Sequence, residues 1–151
     1  MNNEKKLPVK IKLLREQAQM PKYQSASAAA ADLYAALDAP MTIEPGAILR
    51  IPTGIAVDCE RDDLAIVLCA RSGLASKGIT LANGIGLVDA DYRGEILVLT
   101  ANIGKSPYTV TPGERIAQMM FLPVCRAAFE TADTLTETER GAGGFGSTGK
   151  N

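Results

Sequence analysis

Apolar residues fall in short runs with turn formers between them. Val9, Ile11 and Leu13 alternate with Lys10 and Lys12, the period of two expected of a half-buried strand. The stretch MTIEPGAILRIPTGIAVDC carries Pro40, Pro45, Gly46, Pro52 and Gly54 in and around it, which predicts several strands joined by turns. DLAIVLCA reads as a buried strand, and EILVLTAN and RIAQMMFLPV read likewise. Tyr92-Arg93-Gly94 separates two apolar runs and predicts the turn of a hairpin; Pro112-Gly113 predicts a further turn. Many short strands at close spacing indicate an all-β sandwich or barrel.

Two segments fit this pattern less well. SASAAAADLYAALDA is alanine-rich, and propensity alone predicts a helix there. ARSGLASKG predicts one short helical turn. From Thr136 the chain is polar and then glycine-rich, TETERGAGGFGSTGKN. Such a tail has little apolar surface to dock and is expected to be mobile by itself. The pattern divides into one β domain over residues 1–135 and a C-terminal arm over 136–151, with no internal repeat.

Composition narrows the chemistry. A length of 151 residues suits a single domain. With 16 basic and 17 acidic side chains, the net charge of −1 gives no general attraction to nucleic acid. A polyanionic ligand has to be held by a few placed groups. Cys59, Cys69 and Cys125 are odd in number and lack CxxC spacing, which argues against a disulfide framework or a thiolate zinc site. The N-terminus has no apolar signal core, and no run approaches the roughly 18 apolar residues of a membrane span. A cytoplasmic protein without a membrane partner is expected. Histidine is absent. That removes Ser-His-Asp and Cys-His catalysis, and leaves acid–base work mainly to Asp, Glu, Lys or Tyr.

Several motifs carry candidate chemistry. Gly144 to Gly149 spells GxGxxG, and Gly144 to Lys150 nearly spells a P-loop, with Asn151 where Ser or Thr is needed. Both motifs require a helix after them, and two residues or fewer remain. What survives is local chemistry. The glycines let backbone N–H groups converge on anionic oxygens. Ser147 and Thr148 add hydroxyl donors, Arg140 adds a guanidinium fork, and Phe145 offers a ring for stacking. The bland alternative is a flexible terminal linker.

In NGIGLVDADYRGE, residues 83–95, the side chains of Asp89, Asp91, Arg93 and Glu95 share parity. They form either a solvated hairpin face with internal charge pairing or a carboxylate that orients and deprotonates water. Local chemistry does not choose between Asp89 and Asp91. Asn83 has an amide that matches the edge of a pyrimidine. Arg71, Ser72 and Gly73 follow a buried strand and suit phosphate oxygens at the start of a turn; an ordinary strand-end turn is the competing reading.

Taken together, five segments resemble the trimeric dUTPase family, in that family's order. They are AAAADLYAA at 28–36, ARSGLASKG at 70–78, NGIGLVDADYRGEI at 83–96, GERIAQMMF at 113–121 and RGAGGFGSTG at 140–149. The resemblance implies a β jelly roll assembled as a homotrimer, and it turns the alanine-rich segment into a strand. It implies hydrolysis of dUTP to dUMP and pyrophosphate, which limits uracil in DNA and supplies dUMP. The implied sites lie between subunits, closed by the exchanged C-terminal arm. Mg²⁺ is expected to arrive chelated by the triphosphate.

By position, Asp89 resembles the base that activates water. Tyr92 resembles the ring packed on deoxyribose, and Asn83 the amide reading uracil, with backbone groups around Leu87, Val88 and Leu97. Arg71, Ser72, Gly73 and Gln118 resemble the phosphate contacts. Phe145 resembles the lid over uracil, and Arg140, Gly146, Ser147 and Thr148 the clamp on the terminal phosphate. Asp32 matches an acidic residue that touches the metal through water. Ala30 and Ala70 depart from the family, where Gly and Pro are frequent; both bear on backbone geometry. Two rivals remain: a dCTP deaminase of the same fold, and a regulatory protein that senses dUTP.

Overall fold

The computed structural model describes residues 7–144. Eleven strands and one short helix follow in order: β1 Lys10–Leu13, β2 Ala31–Tyr34, β3 Met41–Ile43, β4 Ile48–Pro52, β5 Ile55–Asp58, β6 Leu64–Cys69, α1 Ser72–Ala75, β7 Ile79–Leu81, β8 Gly86–Val88, β9 Leu97–Asn102, β10 Tyr108–Val110 and β11 Arg115–Pro123. All strand pairings are antiparallel. The largest sheet has the order β2-β11-β6-β8, and a second has β4-β9-β7. β1 pairs with β5, and β3 with β10. No helix among the described residues is long and apolar enough to cross a membrane.

Burial explains the strand sequences. β6 is central in its sheet, and Leu64 through Leu68 are all buried, so its run is continuously apolar. Leu33, Ile43, Ile51, Ile66, Val98, Val110, Ile116 and Met119 meet in one core. The two Pro-Gly turns have the geometry that their residues favour. Gly46 and Gly113 sit at φ 81° and 76°, and the turns close through Ala47 N–H to Glu44 O and Glu114 N–H to Thr111 O.

The alanine-rich segment is a strand, against its helix propensity. Ala31, Ala35 and Ala36 are buried, and Ala31 pairs with Met119 of β11. Small side chains are needed here for close packing: a Cβ on Gly54 would lie only 2.9 Å from the Cβ of Ala36. Pairing and tight contact outweigh a preference worth less than about 1 kcal/mol per residue. ARSGLASKG does contain the single helical turn, α1.

The hairpin expected around Tyr92-Arg93-Gly94 does not form. Its flanking strands join different sheets, β8 with β6 and β9 with β4 and β7. The segment from Asp89 to Ile96 is a corner between sheets. The four same-parity charges therefore do not share one extended face. Arg93 pairs with Asp58 at 2.8 Å, and Glu95 with Arg15 at 2.7 Å.

Candidate active site

Most of the residues singled out above fall in two groups: Asp32, Arg71, Ser72, Gly73 and Gln118 near the Cys69 end of β6, and Asp89, Asp91 and Tyr92 beyond its Leu64 end. The first surrounds Asp32 on β2, which is 2% exposed. Gln118, its register partner on β11, donates from Nε2 to Asp32 Oδ1 at 3.2 Å. Arg115 Nη1 donates to Oδ2 at 3.0 Å, and Arg71 Nε lies 3.4 Å from Oδ1. Arg71 also donates from Nη1 to the Arg115 carbonyl at 2.9 Å. One buried carboxylate thus fixes two guanidinium groups that reach partial exposure. The cluster keeps an excess of positive charge and of N–H donors, which suits phosphate oxygens.

A bulge makes this cluster possible. Arg115 and Gln118 differ in parity, so a regular strand would send them to opposite faces. The pairing of β11 with β2 shifts between Arg115 and Ala117. The extra residue reverses the alternation, buries both Ile116 and Ala117, and lets Arg115 and Gln118 reach the same carboxylate. Arg115 is absent from the sequence-derived candidates, and period-two counting from Gln118 would place it on the wrong side.

Neighbouring elements hold the cluster in place. Glu114 accepts the Thr111 N–H at 2.9 Å and the hydroxyl of Tyr108, fixing the turn before Arg115. Burial, and then the Glu114 carboxylate, push the Tyr108 hydroxyl up to about 12, while Arg71 pulls the other way. Immediately after Arg71, α1 begins. The first-turn N–H groups of Ser72 and Gly73 have no intrahelical acceptor. The space over Gly73 is open, with nothing within 4 Å of an added Cβ.

Asp32→Ala should therefore lower stability by about 1–3 kcal/mol, since hydrogen bonds from charged donors to a buried acceptor are lost. Arg115→Ala should cost less, because Asp32 keeps Arg71 and Gln118. The urea midpoints of the two variants check the order.

The second group lies on the sheet corner. Tyr92 N–H donates to Asp89 O at 3.1 Å, closing a turn over Asp89 to Tyr92. Asp89, Asp91 and Tyr92 are exposed. Asp89, Asp91 and Leu87 line an open groove with Glu60, Arg93 and Arg126. Asn83 is exposed in the turn between β7 and β8.

Leu97 faces Pro52 across the β4–β9 ladder, but Pro52 has no N–H and its carbonyl accepts from Ala36 at 2.8 Å. The Leu97 backbone groups consequently point to the other side. There β7 has already left the sheet: its last contact is Ala82 N–H to Leu99 O at 2.8 Å. Backbone donors and acceptors without a ladder partner suit a planar ligand with amide-like edges.

The groups do not meet within one chain. Val88 is opposite Ile66, so Asp89 lies level with Ala65, whereas Arg71 lies six residues further along an extended chain. At about 3.3 Å per residue the separation is about 20 Å. Arg140 is exposed and donates only to Gly143 O, at 3.1 Å, among the described residues. Phe145, Gly146, Ser147 and Thr148 lie outside the described residues.

Comparison with known proteins matches residues 16–149 to the family model described as dUTPase. The deoxyuridine 5'-triphosphate nucleotidohydrolase of Desulfitobacterium hafniense is 52% identical over 146 residues, which are 95% of this chain and 97% of that protein. The enzyme of the same name from Xanthomonas oryzae pv. oryzae is 49% identical over 131 residues, covering 86% and 84%. Among solved structures, the Staphylococcus bacteriophage 80alpha dUTPase with dUPNHPP superposes with a TM-score of 0.87 at 25% identity, over 95% of this chain and 99% of that one. A mutant dUTPase of phage phi11 of S. aureus, described with a structural Mg(II) ion, matches at 0.78 and 20% identity, over 86% and 99%.

Proposed function

The chain belongs to the dUTPase family and hydrolyses dUTP to dUMP and pyrophosphate, and we propose that it does so in sites shared between the subunits of a homotrimer with a jelly-roll fold. One observation carries this reading. The candidate base and the phosphate-binding arginine are about 20 Å apart along β6, too far to act on one phosphorus. A complete site therefore takes the Asp89 corner from one chain and the Arg71 cluster from another. After β11, Phe129 and Leu135 are 96% and 88% exposed. Large apolar side chains left bare in this way fit a segment that packs on a neighbouring subunit.

In the proposed site, uracil lies beside β8 and the start of β9. Asn83 reads its edge, with backbone groups of Leu87, Val88 and Leu97. Tyr92 packs on the deoxyribose and leaves no room for a 2′-hydroxyl. Arg71, Gln118 and the N–H groups of Ser72 and Gly73 hold phosphate oxygens. Asp89 takes a proton from water as it attacks the α-phosphorus in line, and pyrophosphate leaves. The arm, residues 136–151, brings Arg140, Ser147, Thr148 and the Gly146 backbone to the terminal phosphate and Phe145 over the base. Closure excludes bulk water and completes the clamp.

The donor set fits a metal carried by the substrate. Among the described residues no three acidic, cysteine or histidine groups cluster, and both Asp32 oxygens already accept from Arg71, Arg115 or Gln118. Asp32 is then left with at most a contact through water. Mg²⁺ chelated by the triphosphate would neutralise charge on the leaving pyrophosphate.

Product analysis across dUTP, UTP, dTTP and dCTP tests the reading. Pyrophosphate should appear with dUTP and hardly with the others. Ammonia from dCTP would instead mark a deaminase of the same fold.

A further inference from the structure

We propose that Gly94, Glu95 and Arg15 form a seat for the Tyr92 ring and thereby set the preference for deoxyribose over ribose. The proposal rests on the reading of Tyr92 as the sugar-contacting ring. It concerns residues outside that contact, which act through Tyr92 and so are positioning residues.

Tyr92 is 46% exposed, and an aromatic side chain on an exposed turn normally has several rotamers open to it. Two features restrict this one. Its hydroxyl donates to the Glu95 carbonyl at 3.1 Å, folding the ring back over the following residues. A Cβ on Gly94 would lie 2.3 Å from the Tyr92 hydroxyl oxygen and 2.5 Å from Cζ. The ring therefore occupies the space that any other side chain at position 94 would fill. Gly94 is absent from the positive-φ glycines, so its backbone conformation is open to alanine. Glycine is required here by the ring and not by the turn.

The carbonyl that receives the hydroxyl is itself fixed. The Glu95 carboxylate accepts the Gly54 N–H at 2.8 Å and the Arg15 guanidinium at 2.7 Å. The next residue, Ile96, is buried, with its N–H on Ile55 O and its carbonyl on Thr53 N–H and Oγ1. A tether thus runs from the β4–β5 turn through Glu95 to the tip of the tyrosine. Discrimination against one hydroxyl depends on ring placement to a fraction of an ångström, because a ring free to swing makes room for the larger sugar.

The experiment compares kcat/KM for dUTP and for UTP in the full-length protein, with Tyr92→Ala as the reference for the sugar contact. Gly94→Ala and Glu95→Ala should each narrow the dUTP/UTP ratio by roughly tenfold. Glu95→Gln keeps an acceptor for Gly54 N–H and should retain most of the ratio. Tyr92→Phe keeps the ring and backbone but cuts the tether, so it narrows the ratio even if Gly94→Ala folds poorly. A general loss of structure would lower both activities together and leave the ratio alone. If Tyr92→Ala narrows the ratio while Gly94→Ala, Glu95→Ala and Tyr92→Phe do not, the seat is refuted and the sugar contact stands. If Tyr92→Ala leaves the ratio unchanged, the sugar contact itself fails, and the seat has no role in specificity.

Discussion

Asp89→Asn is expected to bind dUTP and to turn it over about 10²–10⁴-fold more slowly, the span normally lost with a general base. The amide keeps the size of the carboxylate and can still orient water, but cannot take its proton. Histidine is absent from the chain, so no imidazole can substitute. Position in the fold separates Asp89 from Asp91. Asp89 directly follows β8, and its carbonyl anchors the turn by accepting the Tyr92 N–H. Its backbone is held by the sheet on one side and the turn on the other. Asp91 is inside the turn, where no such anchor acts on it among the described residues, and Asp91→Asn should be milder. Binding of a non-hydrolysable dUTP analogue, measured beside pyrophosphate release, separates loss of the base from loss of the site. Near-normal turnover in Asp89→Asn, with a large loss in Asp91→Asn, would move the base to Asp91.

The strands were legible where burial is simple. LAIVLC is apolar throughout because β6 is covered on both faces, and that pattern survives in the sequence. The alanine-rich stretch was not legible from propensity, because its alanines answer to contacts with Gly54 and β11, made by residues distant in sequence. The corner at Asp89 to Ile96 looks like a hairpin in the sequence, which shows two apolar runs and a turn but not which sheet each run joins. Arg115 was invisible to parity counting because a bulge leaves no period of its own. Arg71, Ser72 and Gly73 stand out through local chemistry and Gln118 through motif resemblance; that Gln118 and Arg71 both contact Asp32 is visible only in the fold. That Asp89 and Arg71 lie toward opposite ends of β6 is not written in the pattern of apolar and polar positions. It depends on strand order, which brings Val88 opposite Ile66 and Gln118 opposite Cys69.

Two inactive variants should restore each other's activity if the arm acts across subunits. One is Asp89→Asn with an intact arm. The other keeps Asp89 but stops after Glu139, and so lacks Arg140, Phe145, Gly146, Ser147 and Thr148. Each alone should be nearly inactive, the first without a base and the second without the clamp and lid. The structural motive is the chain after β11. Arg126 still touches Asp62, but Phe129 and Leu135 are bare, so the segment leading to the arm has no apolar seat on its own chain among the described residues. The two variants, unfolded together in equal amounts and refolded, should form mixed trimers. A site is complete when the Asp89 corner comes from a truncated chain and the arm from a full-length neighbour. Random mixing gives roughly a quarter of the sites that composition in a cyclic assembly. If every arm closed the site containing its own Asp89, no mixed trimer could contain a working site. A chain with Asp89 would always lack its arm, and a chain with the arm would always lack its base. Native mass spectrometry identifies the mixed trimers independently of activity. Their presence with no regained pyrophosphate release would reject exchange of the arm, and would leave the assignment of Asp89 to be judged on its own variant.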